Sequence, residues 1–226
     1  MQTHLFNTIK LSFSRVIVIA ILAVAGLPAL AQDDDFPDGR KKNDNFVKLP
    51  KDNVRNDIAT FAIAGIDERI GKEPLRTSIP PVAQGGNYIT FEGNGIKVHI
   101  TAGLFDPSRH KLGYYNDKYL IKIDNKPYYG EYGAVPKYTI ESITVTVGKD
   151  TIAIPPAAFG DLYSPDFAYT DNKGTVRTHN AVYMSKDGHT IYIYMLNQEL
   201  KGKYEVTWVI QDKKYLRRVV DSGLLK

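Results

Sequence analysis

NYITFEGNGIKVHIT, residues 87–101, decides the class of fold. Asn94-Gly95 is the dipeptide that a two-residue type I′ turn requires, because both central residues need positive φ. With the turn placed there, Gly93 faces Ile96, Glu92 faces Lys97, Phe91 faces Val98, Thr90 faces His99 and Ile89 faces Ile100. Side chains alternate along a strand. Ile89, Phe91, Val98 and Ile100 therefore share one face, and Thr90, Glu92, Lys97 and His99 share the other, with opposite charges directly across. The stretch reads as an antiparallel hairpin with one core face and one wet face.

Outward from this hairpin the same pattern recurs. Residues 138–147 (YTIESITVTV) alternate apolar and polar, and Gly148-Lys149-Asp150 turns the chain into 151–154. Residues 118–123 form another candidate strand, closed by Asp124-Asn125. In the last third, Lys186-Asp187-Gly188-His189 joins 181–185 to 190–196. That register puts Val182, Met184, Ile191 and Ile193 on one face and Tyr183, Tyr192 and Tyr194 on the other. Tyr204, Val206, Trp208 and Ile210 line a further strand, and a turn at Asp212-Lys213 sets Trp208 opposite Arg217, within reach of a cation–π contact. Short strands at close spacing with Gly, Asn and Asp turns predict an all-β domain, an antiparallel β-sandwich or open barrel, with at most one or two short helical turns. One such turn is expected within 157–163, after Pro155-Pro156.

Before Asn87 the reading changes. Lys10 and Arg15 precede an apolar run, 16–31, that ends Ala29-Leu30-Ala31. A basic start, a short apolar stretch and small residues around a cleavage point make the signature of a secretory signal peptide. The run of 16 residues is shorter than the roughly 20 of a membrane span, and Gly26 and Pro28 break its end. Residues 1–31 are therefore expected to be a cleaved leader, with no membrane span after cleavage and a periplasmic or secreted location. Residues 32–57, rich in Asp, Asn, Lys and Pro, read as a polar, flexible lead-in. Its acidic cluster, Asp33, Asp34, Asp35 and Asp38, lacks the spacing of a calcium loop. Residues 58–226 form the expected single β-rich domain. Within it, 58–70 (IATFAIAGIDERI) fits both a strand alternation and a helical face. The β-branched content and Gly65 favour the strand.

Charge and composition remove several function classes. Of 29 Lys and Arg residues, Lys10 and Arg15 lie in the leader, so 27 basic residues face 25 acidic ones. That balance, without a Lys/Arg run longer than three residues, argues against a nucleic-acid footprint. The absence of cysteine removes disulfides, thiol catalysis and thiolate metal sites, and leaves stability to a hydrophobic core.

Catalytic motifs are equally sparse. His179 and His189 tempt as a pair, but the hairpin register separates them by over about 20 Å at about 3.3 Å per residue. His99 sits on the wet face of the first hairpin and His110 in a loop. No H-E-x-x-H, G-x-S-x-G, P-loop or dinucleotide fingerprint occurs after the leader. Glu92, Glu131, Glu141 and Glu205 lie on or near strands and could supply the paired carboxylates of a glycosidase. No metal or cofactor is expected.

The most distinctive composition lies between 114 and 138. Tyr114, Tyr115, Tyr119, Tyr128, Tyr129, Tyr132 and Tyr138 are interleaved with Gly113, Gly130 and Gly133. Tyrosine offers a flat apolar ring with a polar tip, suited to stacking on a sugar or anchoring a partner. Tyrosine is also a favoured strand residue that packs into cores. Tyr114, Tyr115, Tyr128, Tyr129 and Tyr132 are the candidate ligand-binding residues.

The segments VTVGKDTIAIP (145–155), DGHTIYIYM (187–195) and GKYEVTWVIQDKKYLRRVVDSG (202–223) resemble exported β-rich proteins of Gram-negative bacteria of the Bacteroidota type. The resemblance spans about residues 87–223 and implies an envelope or secreted location, without an activity or ligand. The leading expectation is a non-catalytic exported β-sandwich that binds a glycan or an envelope protein through tyrosine-rich loops. The alternatives are a secreted hydrolase with paired carboxylates, and a structural or inhibitory domain whose tyrosines are mostly buried.

Overall fold

The computed structural model describes residues 37–40, 44–68, 77–198 and 202–222. The leader expected over 1–31 and the cluster Asp33–Asp35 lie outside them. Among the described residues fourteen strands run in chain order: β1 (Thr77–Ile79), β2 (Pro81–Gly85), β3 (Tyr88–Gly93), β4 (Ile96–Leu104), β5 (Leu112–Tyr115), β6 (Tyr119–Ile123), β7 (Tyr138–Val147), β8 (Asp150–Ile152), β9 (Tyr169–Thr170), β10 (Val176–Arg177), β11 (Ala181–Met184), β12 (Thr190–Asn197), β13 (Tyr204–Gln211) and β14 (Lys214–Ser222). They build two five-stranded sheets, ordered β1-β11-β12-β13-β14 and β2-β3-β4-β7-β8, with two small ribbons, β5-β6 and β9-β10. All the strand pairs are antiparallel and no barrel closes.

The expected hairpin registers form. Ile89 pairs with Ile100, Phe91 with Val98 and Glu92 with Lys97. Asn94 (φ 53°) and Gly95 (φ 71°) both take the left-handed conformation of the turn. Val182 pairs with Ile193 and Tyr183 with Tyr192. The apolar rows of the two sheets face each other. Ile89, Phe91, Val98, Ile100, Ile143 and Val145 from one meet Val182, Ile193, Met195, Val206, Trp208 and Ile210 from the other. Burying each such aliphatic side chain stabilises by roughly 1.5–3 kcal/mol, which is how a chain without disulfides holds two sheets together. β1 and β2 are nearly one strand that changes sheets at Pro80: β1 pairs with β11 and β2 with β3. Such crossing strands make the corners of sandwiches.

One register differs. Tyr215 pairs with Ile210 as the Asp212-Lys213 turn predicts, but a bulge then shifts the ladder between Val209 and Ile210. Trp208 therefore stands opposite Arg218, not Arg217. A bulge inserts one unpaired residue and reverses the facing of the residues beyond it. Arg217 is exposed, whereas Arg218 turns to the buried side.

The outer face of the first sheet is covered. A 3-10 turn at Phe46–Lys48, a short α-helix α1 (Asn53–Ile58) and a 3-10 turn at Ile63–Glu68 lie across it. Asp52 caps α1 by accepting from the Arg55 N–H at 3.0 Å, satisfying one of the helix's free donors. Phe46, Leu49, Ile58, Ala59 and Ala62 pack on Tyr192, Tyr194, Leu196, Val209 and Val219. Residues 44–57, read from composition as a flexible lead-in, are thus part of the core packing. Where a strand was favoured over 58–70, the described part is the end of α1, a turn over 59–61 and the 3-10 turn. The β-branched bias loses there because Ile58, Ala59 and Ala62 bury against the sheet, and that tertiary contact outweighs propensity.

Candidate functional site

The five candidate tyrosines divide. Tyr114 and Tyr115 on β5 are exposed (45% and 36%), whereas Tyr128, Tyr129 and Tyr132 are buried (1%, 4% and 7%). The buried three do not form a ligand platform. They brace the turn around Glu131. The Tyr128 hydroxyl donates to the Ala134 carbonyl at 2.7 Å, has the Leu120 carbonyl at 3.1 Å, and accepts from the Gly133 N–H at 3.2 Å. Tyr132 accepts from the Gly39 N–H at 3.2 Å and lies under the Arg40 guanidinium, 4.6 Å from its ring centre. Burial pushes the Tyr129 hydroxyl up to about 12, so it stays protonated in any physiological medium. Replacing Tyr128 by Phe leaves Gly133 N–H and Ala134 C=O without this partner. The expected loss is about 1–3 kcal/mol of stability by urea unfolding, against less than about 0.5 kcal/mol for an ordinary surface change such as Tyr114→Phe.

The braced turn leads to a polar depression. It has a volume of about 260 Å³, and Glu131, Lys137, Tyr138, Ser164, Asp166 and Phe167 line it. Its backbone is unusual. Glu131 (φ 43°) and Ser164 (φ 48°) are both left-handed without being glycine, a conformation that costs about 1–3 kcal/mol and concentrates at functional sites. Gly130 (φ 89°) is required where two segments cross: a Cβ there meets the Tyr163 carbonyl oxygen at 2.1 Å. Tyr129 and Tyr163 are bonded through their backbones at this crossing, with Tyr163 N–H donating to Tyr129 O at 2.9 Å, and Ser164 N–H donates to Tyr138 O at 2.9 Å. Asn197 holds the far side, its amide donating to the Ser164 carbonyl.

Three groups characterise this depression. Ser164 is 4% exposed, and its hydroxyl has no hydrogen-bond partner. A buried hydroxyl left unsatisfied costs about 1–3 kcal/mol. Asp166 is half-buried, and burial raises its carboxyl above the ordinary carboxylate range, partly offset by the nearby His179 charge. Tyr138, also lining the depression, is 40% exposed. His179 itself stacks on Tyr169, with ring centres 4.2 Å apart. Glu131 and Tyr138 belong to the tyrosine-rich stretch singled out from the sequence. Ser164 and Asp166 carried no motif, and only the folded chain brings them beside it.

A larger depression, about 540 Å³, lies on the outer face of the second sheet over Thr90, Glu92, Lys97, His99 and Thr144. Its groups already satisfy one another. Thr90 Oγ1 and His99 Nδ1 are 2.8 Å apart, and Lys97 pairs with Glu92 at 3.0 Å. These mutual pairings make the smaller site the better candidate. The other histidines are also committed: His110 to Asp124 at 2.7 Å and His189 to Asp212 at 2.9 Å. Glu92 is the partner of Lys97, and Glu205 lies buried under the N-terminal segment. Of the four glutamates considered for acid–base work, Glu131 alone lines the polar depression.

Among the described residues no three His, Asp or Glu side chains cluster to hold a metal ion, and no helix is long and apolar enough to cross a membrane. No protein-family model matches the chain, and no curated protein or solved structure is significantly similar to it.

Proposed function

We propose that this chain is an exported, non-catalytic β-sandwich that binds a glycan, one sugar ring at a time, in the depression between Glu131, Tyr138, Ser164 and Asp166. The observation that carries the reading is a polar depression that joins two carboxylates, Glu131 and Asp166, to an exposed tyrosine, with the unpartnered Ser164 hydroxyl buried in its wall. Sugars offer what those groups need. Their hydroxyls both donate and accept, and their C–H faces stack on an aromatic ring whose polar tip stays wet. At about 260 Å³ the site is below the roughly 300–1,000 Å³ of drug-sized pockets, a volume that suits a single ring at a chain end or branch. The sequence leader supports export, and the fixed backbone around Gly130 and Ser164 supports a preformed site, which lowers the entropy lost on binding.

The test is calorimetric titration of the protein with a panel of neutral, amino and acidic saccharides. Tyr138→Ala and Asp166→Asn are each expected to weaken binding at least about tenfold, or about 1.4 kcal/mol. His99→Ala, on the other sheet face, is expected to leave it unchanged. Failure to bind any saccharide, or capture of an envelope protein through this surface without saccharide binding, contradicts the reading.

One observation favours a second reading at the same site. Glu131 and Asp166 are both carboxylates, and burial gives Asp166 the raised proton affinity of a general acid. A hydrolase cleaving a glycosidic bond needs such a pair. Release of reducing ends from a bound oligosaccharide, abolished by Asp166→Asn, selects this reading over simple binding.

A further inference from the structure

Glu205 on β13 and Asp221 on β14 are direct cross-strand neighbours on the outer face of the first sheet. Both are buried, 4% and 5% exposed. Like charges placed opposite each other in a sheet repel, and among the described residues neither carboxylate is ion-paired. Each instead accepts backbone N–H groups of the N-terminal segment. Asp221 accepts from Phe46 at 3.0 Å, and Glu205 accepts from Ile63 at 2.8 Å and Ala64 at 2.6 Å. The Tyr194 hydroxyl adds a third bond to Glu205 at 2.8 Å.

We propose that this carboxylate pair is a pH-operated latch that holds residues 44–64 on the sheet, tightening in acid and loosening toward neutral pH.

Among the described residues, the charged groups facing the pair bring it no ion-pairing cation. Asp44, beside Phe46, is itself acidic and is engaged by Arg218 at 2.8 Å. Arg218 also binds Asp161 with both guanidinium nitrogens. Arg55 of α1 donates to the Phe46 and Leu49 carbonyls, both at 3.0 Å. Asp57, also on α1, accepts from the Tyr192 hydroxyl at 2.8 Å. Arg217, the outward residue of β14, is exposed. Asp221 accordingly has its proton affinity raised to about 6, by burial first and then by the charges of Glu205 and Asp44, against the lowering effect of the Phe46 bond.

The sign comes from linkage. An acid whose proton affinity is raised by docking favours docking fully where it is protonated in both states, progressively less where only the docked state holds the proton, and not at all where both are ionised. The stabilisation is complete below the ordinary carboxylate value of 3.8 and disappears as pH rises through about 6. Roughly two decades of proton affinity separate those values, so the docking equilibrium changes by up to about a hundredfold. Loosening uncovers the Tyr183, Tyr192, Tyr194 and Leu196 side of the sheet, on which Phe61 now stacks at 4.6 Å from Tyr183.

Amide exchange measured by NMR between pH 4.5 and 7.5 tests the latch, with rates corrected for intrinsic exchange and referenced to Val206 in the core. Protection of Phe46, Ile63 and Ala64 is expected to fall by up to about a hundredfold as pH rises. Asp221→Asn keeps an oxygen acceptor for Phe46 and removes the charge, so it should remain protected at pH 7.5. Glu205→Gln removes the neighbouring charge and should move the midpoint to lower pH. Equal protection of the wild-type amides across the range overturns the proposal. So does an unchanged pH dependence in either variant.

Discussion

Trp208→Ala is expected to destabilise the fold by about 3–5 kcal/mol, the cost of truncating a large aromatic side chain in a close-packed core. Trp208 is fully buried between the sheets, and its indole N–H donates to the Ala158 carbonyl at 2.8 Å. Two losses combine: a cavity where the indole stood, and a carbonyl deprived of its best donor. Trp208→Phe separates them. It keeps most of the volume and removes the donor, so about 1–2 kcal/mol is expected. Urea unfolding measures both. A Trp208→Ala loss under about 2 kcal/mol means that the sheets close over the gap, and the described core packing is then wrong.

Arg218→Leu carries the second largest expected effect, about 2–4 kcal/mol. Breaking a buried ion pair by removing one partner costs about 3–5 kcal/mol. The lower figure applies because Asp44 and Asp161 keep 30% and 26% of their side-chain exposure, against 14% for Arg218. Arg218 is the tie between three parts of the chain: β14, the N-terminal segment at Asp44, and the 156–163 segment at Asp161 and Ala158. The last of these leads directly into Ser164. The variant should therefore weaken saccharide binding as well as stability, whereas Trp208→Phe should act on stability with less effect on binding. Arg218 and Trp208 share the Ala158 carbonyl, so the double variant should be non-additive by about 0.5–3 kcal/mol. Additive losses mean the shared carbonyl is not a coupling point.

The strands were legible because the sandwich writes them locally. Asn94-Gly95, Asp124-Asn125 and Asp212-Lys213 all adopt left-handed pairs in their turns, and period-two rows then fix which face is buried. The illegible parts depend on contacts between distant segments. The β13–β14 bulge has no dipeptide signature, so Arg218 exchanged places with Arg217. Phe46 and Leu49 sit in a polar stretch whose average hides them. They bury only because the outer face of β12 and β13, with Tyr192, Tyr194 and Val209, is too apolar to face water.

The polar depression draws Glu131 and Tyr138 from the tyrosine-rich stretch, whereas Tyr128, Tyr129 and Tyr132 turn inward to brace the turn at Glu131. The hydroxyls of Tyr128 and Tyr132 find backbone partners that composition cannot reveal. Ser164 and Asp166 come from a loop separated from that turn by two strands, β7 and β8, and a single serine in left-handed conformation leaves no mark in a sequence. Glu205 and Asp221 show the same limit. Glu205 reads as a solvated residue on the row opposite Trp208, Asp221 reaches that face only through the bulge, and the N-terminal segment laid over them makes both buried acids.

Chemical-shift mapping of a bound saccharide tests the central claim most directly. On titrating a saccharide that binds, the backbone amides of Glu131, Tyr138, Ser164 and Asp166 should move together with one dissociation constant, while Thr90, Lys97 and His99 on the opposite sheet face stay still. Shifts confined to the Thr90–His99 face, or to Tyr114 and Tyr115, contradict it.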